Sequence, residues 1–184
     1  MGHLRIAHFA SSVATPESSC LDAFAREFDY VYETLQRLGA GPSEVEDLAQ
    51  DVFVVLYRHW ASLDTSRPLR PYLFGVAFRI MCAHRRRRWR ETPYADINID
   101  DDRPGPEGLL QSKQATALMR AALERVPLSR RAVLVMHELD NVPVADVAKQ
   151  LSITRFGAYA RLRKGRRELA AAIRRLTRGG GAGK

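Results

Sequence analysis

A segment near the middle of the chain limits the fold most strongly, because no compact core can include it. Residues 92–112 contain Pro93, Pro104 and Pro106 together with glycines and a cluster of carboxylates. The carboxylates are those of Asp96, Asp100, Asp101 and Asp102. A segment of this composition cannot bury enough apolar surface to offset the entropy lost on ordering. It predicts a flexible acidic linker that divides the chain into two small parts.

Both parts have the hydrophobic spacing of helices. Apolar residues recur every three or four positions on either side of the linker, and the sequence has no alternating strand pattern. We therefore predict an all-α fold of two small helical domains, at residues 21–91 and 113–177. Residues 1–20 are expected to form a flexible N-terminal extension, and residues 178–184 a flexible tail.

The same spacing predicts which side chains form the two cores. The helix after Leu21 should bury one apolar face, made by Phe24, Phe28, Val31, Leu35 and Leu38. The next helix should begin with a capping box of Ser43 and Glu46, in which each side chain accepts a hydrogen bond from a free N–H. In the second domain, one predicted helix is defined by Leu118, Met119, Ala122, Leu123 and Val126, and the next contains Ala132, Val133, Met136 and Leu139.

The charge of the chain points to an acidic partner. Twenty-nine lysines and arginines face 21 aspartates and glutamates, which gives a formal net charge of +8. Much of the excess falls in two blocks, at residues 85–90 and 161–178. Nucleic acid, an anionic membrane surface and an acidic protein would each suit such a chain.

Cysteine usage and hydrophobicity suggest where the protein is found. Cys20 and Cys82 are the only cysteines, which favours a reducing compartment over a disulfide scaffold. The N-terminus lacks the apolar core of a secretory signal, and no stretch approaches the roughly 18 apolar residues of a membrane span. We expect a cytoplasmic protein with no membrane insertion.

The sequence lacks the usual signs of catalysis or metal binding. Its 5 histidines are scattered, and neither cysteine has a partner at metal-ligand spacing. Gly-rich phosphate loops and nucleophile elbows are missing as well. We therefore predict a protein that is not an enzyme and has no metal site and no cofactor.

Residues 143–167 have the form of a helix-turn-helix. A short helix with Ala148 at its packing position precedes a turn with Ile153, and Thr154 can cap the long helix that follows. One side of the long helix is apolar, while the other is basic and aromatic. The second side carries Phe156, Ala160, Arg163, Lys164, Arg167 and Arg174, with Tyr159 at its flank.

These residue types suit contact with DNA. Arginine and lysine bind phosphates or guanine edges, aromatic rings pack on bases or sugars, and alanine leaves room for a thymine methyl group. The N-terminal half of such a helix is the part that enters the major groove. The alternative interpretation is an amphipathic helix whose basic face is only solvated.

Three motifs resemble those of a known family. Residues 46–53, EDLAQDVF, resemble the EDLxQExF signature of sigma region 2, and residues 71–79, PYLFGVAFR, resemble its WLxxIARN helix, which also runs into arginines. Residues 123–134, LERVPLSRRAVL, are similar to the LxxLPxxxRxVxxL opening of region 4. In this order, with only a linker between, they resemble the extracytoplasmic-function sigma factors, non-catalytic subunits that direct RNA polymerase to promoters.

The resemblance implies a role for the helix that carries the first motif. Its exposed face would dock on the β′ clamp helices of the polymerase core, through Asp47, Gln50, Asp51 and Val54. An ordinary solvated helix face is the alternative. The family also implies contact with the β flap and an anti-sigma factor as a partner. It further implies that the linker threads toward the polymerase active site, for which a plain solvated tether is the alternative.

The resemblance further implies two groups of residues that bind promoter DNA. The loop at residues 62–70 and the helix after it would read and open the −10 element, through Asp64, Ser66, Arg67, Arg70, Arg79, Arg85, Arg86, Arg87, Arg88 and Trp89. A helix end that complements the helix dipole is the alternative for the arginine block. The −35 element would be read by Arg155, Phe156, Tyr159, Ala160, Arg163, Lys164 and Arg167.

Some positions depart from the family pattern. Residues 156–160 read FGAYA, where the family usually has Gly-Thr-Val-Lys/Arg-Ser, and Gly157 costs about 1 kcal/mol of helix propensity. Pro143 replaces a frequent serine cap, and Arg79 replaces the usual asparagine. These differences do not change the family that the chain resembles. The sequence of the promoter that it recognises does not follow from the resemblance.

Two other functions compete with this one. A stand-alone helix-turn-helix regulator would account for residues 143–176, but it leaves the residue 46–53 signature and the arginine block without a role. An enzyme or metal protein would need the clustered ligands or nucleophile that the sequence lacks.

Overall fold

The computed structural model describes residues 16–91 and 110–179, and every regular element in these two ranges is helical. The first range contains α1 (Pro16–Leu38), α2 (Val45–His59) and α3 (Leu69–Glu91), with a 3₁₀ turn at Trp60–Ser62. The second contains α4 (Leu110–Glu124), α5 (Leu128–Leu134), α6 (Val144–Gln150) and α7 (Arg155–Gly179), with a π-helical turn at Val135–Leu139. The predicted all-α fold is confirmed.

Three helices reach past the predicted domain boundaries. α1 begins at Pro16 within the predicted extension, α4 begins at Leu110 within the predicted linker, and α7 continues to Gly179 in the predicted tail. Proline suits the first turn of a helix, because its missing N–H would have no intrahelical acceptor there. The rest of the predicted extension, linker and tail lies outside the described residues, at 1–15, 92–109 and 180–184.

The turn between α1 and α2 begins at a glycine. Gly39 has φ +99°, a left-handed conformation that glycine adopts without steric cost. Its N–H donates to the carbonyl of Gln36 at 3.0 Å, and the Ala40 N–H donates to that of Leu35 at 2.9 Å. These bonds satisfy the last carbonyls of α1 and end the helix.

The capping box predicted for α2 is wrong. The helix begins at Val45, one residue after Glu44, and no side chain caps it. The Glu44 carboxylate instead accepts a hydrogen bond from the Gly41 N–H at 3.2 Å and pairs with Arg88 of α3 at 3.2 Å. The Val45 N–H donates to the Gly41 carbonyl at 3.1 Å, so the first turn begins two residues before Ser43 and Ser43 does not stand at its start.

The first domain packs α1 against α2 and α3. Val31, Leu35 and Leu38 are buried as predicted, and they meet apolar residues of both other helices. Phe28 is 40% exposed, so its predicted place in the core is wrong. It lies at the edge of the apolar face, where its ring contacts Phe24 and not the core centre.

The second domain forms around α7, which packs against α4, α5 and α6. Leu134 and Met136 are buried beside it, as are Ala158 and Leu162 of α7 itself. Met119 and Leu139, which lie within predicted helices, are 36% and 42% exposed. Both side chains line a groove beside α1, at the junction with the first domain.

The two domains contact each other within the described residues. α1 contacts α4 and α5, and α3 contacts α6. Buried residues of both domains belong to one continuous apolar cluster. The two helical domains therefore follow one another along the chain, as predicted. Their cores meet at a shared surface.

Gly165 of α7 gives a test of how closely the second core is packed. A Cβ added there would lie 3.0 Å from Leu134 Cδ1 and 3.1 Å from Cγ. We expect Gly165→Val to lower the free energy of unfolding by about 1–3 kcal/mol, because an overpacked core forces side chains from their preferred rotamers. Urea denaturation followed by circular dichroism measures this change.

Two further variants separate overpacking from helix propensity. Arg175→Val, on an exposed position of the same helix, should cost only about 0.5 kcal/mol. Gly165→Val combined with Leu134→Ala should cost less than the sum of the two single changes, because the truncation makes room for valine. Additive losses would contradict the contact.

Candidate nucleic-acid and protein interfaces

Helices α6 and α7 form the predicted helix-turn-helix. Ser152 takes φ 53° in the turn, and the Ile153 N–H donates to the carbonyl of Ala148 at 2.9 Å. Thr154 caps α7 as predicted, since its Oγ1 accepts a hydrogen bond from the Gly157 N–H at 3.0 Å. The cap and the buried Ala148 set the position from which α7 projects.

The outward face of α7 presents the residues predicted to read DNA. Phe156 and Tyr159 are 84% and 52% exposed, whereas Ala158 between them is fully buried. Exposed apolar side chains that lie together on a surface are typical of a site that contacts a partner. All the members of the predicted −35 set are exposed: Arg155, Phe156, Tyr159, Ala160, Arg163, Lys164 and Arg167.

The glycine that departs from the family pattern has a local reason. A Cβ added at Gly157 would lie 3.0 Å from Thr154 Oγ1, which is closer than nearly all real contacts of this kind. Glycine at this position has a low helix propensity, but it lets the Thr154 hydroxyl approach the Gly157 N–H. Gly157 supports the cap of α7, while Phe156 beside it faces outward.

The C-terminal end of α3 carries the arginine block. Arg85, Arg86, Arg87 and Arg88 are exposed, and Trp89 is 78% exposed. Arg88 pairs with Glu44, and Arg86 Nε donates to the Cys82 carbonyl at 3.4 Å. Burial raises the pKa of the Cys82 thiol, and the nearby arginines Arg86 and Arg85 oppose that rise. A concentrated positive charge beside an exposed indole suits a phosphate backbone with an unstacked base.

The loop before α3 forms a separate group. Asp64 accepts hydrogen bonds from the Ser66 hydroxyl at 2.5 Å and the Ser66 N–H at 3.2 Å, and these bonds lower the pKa of its carboxyl group. Arg67 pairs with Asp64 at 3.0 Å. Arg70 pairs with Glu27 of α1 at 2.8 Å, and its guanidinium lies 5.1 Å from the centre of the Tyr30 ring.

The structure does not bring the loop and the arginine block side by side. Arg70 and Arg85 lie near opposite ends of α3, about 22 Å apart along a helix that rises about 1.5 Å per residue. Arg79 is exposed between them and lies two helical turns before Arg86. The predicted −10 residues therefore extend from the loop along α3 and are not gathered into one pocket.

The predicted polymerase-binding residues share the exposed face of α2. Asp47, Gln50, Asp51 and Val54 are all exposed, opposite the buried Val52 and Leu56. No ion pair within the described residues engages Asp47 or Asp51. The face therefore keeps negative charge available in a chain of net positive charge.

A row of aromatic side chains, which was not predicted from the sequence, lies beside this face. Phe24 of α1 contacts Phe53 of α2, with ring centroids 5.0 Å apart. Phe28 and Tyr57 continue the row on either side, at 40% and 45% exposure. Phe24 and Phe28, like Phe53 and Tyr57, are four residues apart, a spacing that places two rings side by side on one helix. This four-residue spacing is the sequence feature from which the row could have been predicted.

The sequence also gave no sign of the polar residues between the domains. Tyr30 of α1 donates a hydrogen bond to Asp140 at 2.8 Å, and Arg131 of α5 is buried against the end of α1. Within the described residues, no group of histidine, cysteine or acidic side chains is arranged to hold a metal ion. None of the helices in these ranges is long and apolar enough to span a membrane.

Comparison with known proteins matches both halves of the chain. The family model described as Sigma-70 region 2 matches residues 23–91, and the one described as Sigma-70, region 4 matches residues 116–169. The two matches cover most of the chain and fall on the two helical domains. They span α2, the arginine block and the helix-turn-helix described above.

Curated relatives carry the same family name. RNA polymerase sigma factor NccH of Alcaligenes xylosoxydans xylosoxydans is 24% identical over 147 residues, which are 77% of this chain and 79% of the relative. ECF RNA polymerase sigma factor SigW of Bacillus subtilis is 23% identical over 175 residues, which are 84% of this chain and 91% of that protein.

Solved structures share the fold. CnrH in complex with the cytosolic domain of CnrY has a TM-score of 0.60 and 18% identity, over 85% of this chain and 88% of the matched chain. The sigma factor RpoE in complex with the anti-sigma factor NepR from Bartonella quintana has a TM-score of 0.65 and 18% identity, over 83% and 98%. With both regions matched in order and only the linker between them, the chain belongs to the sigma-70 family, in its extracytoplasmic-function group.

Proposed function

We propose that this protein binds core RNA polymerase and directs transcription initiation at promoters with −10 and −35 elements of its own specificity. The observation that carries the proposal is the outward face of α7, which exposes two aromatic rings among basic residues on a capped helix-turn-helix. The region 2 domain adds a second basic surface and an acidic one. A chain with these three surfaces can join DNA to another protein.

The acidic face of α2 supports a role in docking on the polymerase. Its members Asp47, Gln50, Asp51 and Val54 combine two carboxylates, an amide and an exposed apolar side chain. Charged residues steer an encounter with an oppositely charged partner, and an apolar contact adds affinity once solvent is excluded. We assign this face to the β′ clamp helices, and the region 4 domain to the β flap.

Asp51→Arg tests the docking assignment. The variant should reduce affinity for purified core polymerase by about tenfold or more, because reversing a charge puts like charges together at the interface. Binding is measured by fluorescence anisotropy or a quantitative pull-down. Circular dichroism should remain that of the unmodified protein, since Asp51 is exposed and takes part in no ion pair of the described residues.

Asp22→Arg is the matched control. It makes the same change of charge at an exposed position of α1, on the side of that helix away from Phe24 and α2. Its affinity for the core should remain within about twofold of the original. Equal affinities of Asp51→Arg and the unmodified protein would refute the docking assignment.

We assign the −10 element to α3 and the loop before it. Arg85, Arg86, Arg87 and Arg88 would follow the phosphate backbone, and the exposed Trp89 would stack on an unpaired base. The closed hydrogen-bond network of Asp64, Ser66 and Arg67 supports a loop of defined shape, which is what capture of a single base requires.

We assign the −35 element to α7. Tyr159 and Arg163 lie one helical turn apart on its exposed face, and Phe156 lies one turn before Tyr159. An arginine reads guanine through a bidentate pair, and aromatic rings pack on bases or sugars. Because these residues differ from the family pattern, the −35 sequence should differ from that of the relatives.

Tyr159→Ala and Arg163→Ala test the −35 assignment. Each should change the preference among −35 variants by roughly tenfold, as expected when one good contact of about 1–3 kcal/mol is lost. Run-off transcription with core polymerase, on templates that vary only in the −35 element, measures this preference. Core affinity should not change.

Arg175→Ala is the control for these variants. It removes an exposed arginine from the C-terminal part of α7, beyond the half that enters a major groove. It should lower DNA affinity slightly and equally on every template. The assignment fails if Arg163→Ala and Arg175→Ala give the same profile across −35 variants.

The stand-alone regulator is not favoured. Such a protein would bind an operator through α6 and α7 alone, and it would have no use for the acidic face of α2 or the arginine block. Tight binding of the free protein to a promoter duplex, with no gain on adding core polymerase, would restore that alternative.

We also propose an anti-sigma factor as a partner and the cytoplasm as the site of action. RpoE, which shares the fold, was solved with the anti-sigma factor NepR, and CnrH with the cytosolic domain of CnrY. A partner that covers the face of α2 or of α7 would prevent the contacts assigned here. RNA polymerase and promoter DNA are both cytoplasmic in bacteria, which places this protein with them.

A further inference from the structure

The end of α3 that carries the arginine block extends beyond the core of its domain. Met81 is the last buried residue of this helix, and every side chain from Ala83 to Arg90 except that of His84 is exposed. From Met81 to Glu91 the helix continues for about 15 Å, at about 1.5 Å per residue. The apolar packing that holds the rest of α3 in place therefore does not reach this end.

Repulsion between arginines adds to the lack of packing. Arg85 and Arg88 are three positions apart and Arg86 and Arg90 are four apart, so each pair lies side by side on the helix surface. Like charges at this spacing destabilise a helix, and helix ends fray readily. The helix dipole favours positive charge only in the last turn. An acidic side chain from elsewhere in the domain would offset the repulsion and hold the end in place.

Glu44, at the start of α2, supplies that side chain. Its Oε1 lies 3.2 Å from Nη1 of Arg88 and 3.3 Å from Nε2 of His84, two residues that are four positions apart on one face of α3. Its Oε2 accepts a hydrogen bond from the Gly41 N–H at 3.2 Å. One carboxylate therefore joins the turn between α1 and α2 to the projecting end of α3.

The surroundings of this carboxylate make it a fixed anchor. The side chains of Glu44 and His84 are only 26% and 11% exposed. His84 Nε2 is buried and forms no hydrogen bond within the described residues, so the approach of the Glu44 oxygen is favourable there. Arg88 is 66% exposed, and its guanidinium has five N–H groups. It can therefore hold Glu44 with one N–H and offer others to a phosphate.

We propose that Glu44 is a positioning residue for recognition of the −10 element, and that it acts through Arg88 and His84 to hold the end of α3 in one direction. Trp89 directly follows Arg88 and is 78% exposed, so the direction of its indole depends on the direction of the helix. A held helix presents the indole and the arginines in a fixed arrangement, which lowers the entropy cost of binding. The proposal rests on the proposed function, because the −10 role of α3 is part of it.

Glu44→Gln tests the positioning role in the full-length chain. Glutamine keeps the size of the side chain and can still accept a hydrogen bond from the Gly41 N–H, but it lacks the charge that pairs with Arg88. Glu46→Gln is the matched control, since it removes the same charge two residues away, at an exposed position with no ion pair in the described residues. Any general gain in attraction to DNA from the lost charge is common to both variants.

Fluorescence of Trp89 measures the anchor in the free protein. The chain has 2 tryptophans, so Trp60→Phe leaves Trp89 as the single emitter. In this background Glu44→Gln should lower the anisotropy of Trp89 below that of the Glu46→Gln control, because the end of α3 then moves more freely. Equal anisotropies in the two variants would overturn the anchor.

Binding of templates by the complex with core polymerase measures the functional effect. The templates vary only in an unpaired −10 element, and the core is saturating, so that a change in core affinity does not enter. Glu44→Gln should lower the preference among these templates by about five- to tenfold, which is part of the loss expected when one stacked base is given up. Glu46→Gln should stay within about twofold of the unmodified protein. Preference among −35 variants should not change.

Two results of this measurement would overturn the proposal. One is an equal −10 preference of Glu44→Gln and Glu46→Gln. The other is a gain in −10 affinity that is confined to Glu44→Gln, because the carboxylate would then compete with a phosphate for Arg88 and would not position it.

A double-mutant cycle identifies the route of the effect. In the Arg88→Gln background, Glu44→Gln should lose most of its effect on the −10 preference, because its ion-pair partner is already gone. In the Arg85→Gln background it should keep its full effect, since Glu44 pairs with Arg88 and His84 and has no ion pair with Arg85 in the described residues. Equal effects in the two backgrounds would contradict action through Arg88.

The two kinds of measurement separate this proposal from the proposed function. If no form of the protein, including the unmodified one, directs core polymerase to a −10 element, the proposed function is refuted. The anisotropy of Trp89 would still decide whether Glu44 anchors the end of α3.

Discussion

The guanidinium of Arg131 is the interaction on which the arrangement of both domains depends. It binds carbonyls at or just after the C-terminal ends of α1 and α4, two places where a helix leaves backbone oxygens without partners. A buried charge is costly unless it is fully hydrogen-bonded, so these carbonyls and the space that Gly39 leaves for the guanidinium are required together. The junction between the domains therefore has the hydrogen bonds of Arg131 at its centre and the continuous apolar cluster around them.

The surfaces assigned to function are those left outside this cluster. The buried side of α7 carries Ala158 and Leu162, and its other side therefore exposes Phe156 and Tyr159. α2 is divided in the same way, with Val52 inside and Asp51 outside. In each case the burial of one helix face determines the direction of the other, which is how a small helical protein can present acidic and basic surfaces to different partners.

Much of this was predictable from local spacing, and the errors have identifiable causes. Phe28 has the spacing of a core residue, but it lies at the edge of the apolar face of α1, where no second layer covers it. The capping box at Ser43 failed because the first hydrogen-bonded turn begins at Gly41, two residues earlier, where Glu44 accepts from the Gly41 N–H. Arg131 falls within the region 4 motif, yet its spacing carries no sign that a charged side chain is buried there.

The sequence by itself determined the all-α class, the division by the acidic linker, the position of the helix-turn-helix and the faces of α2 and α7. Those properties depend on residues a few positions apart, which a helix brings together by its own geometry. Only the tertiary structure decided that Tyr30 meets Asp140 and that Arg131 meets Leu38, pairs separated by 110 and 93 positions. Contacts at such separations follow from how whole helices pack, and no local periodicity encodes them.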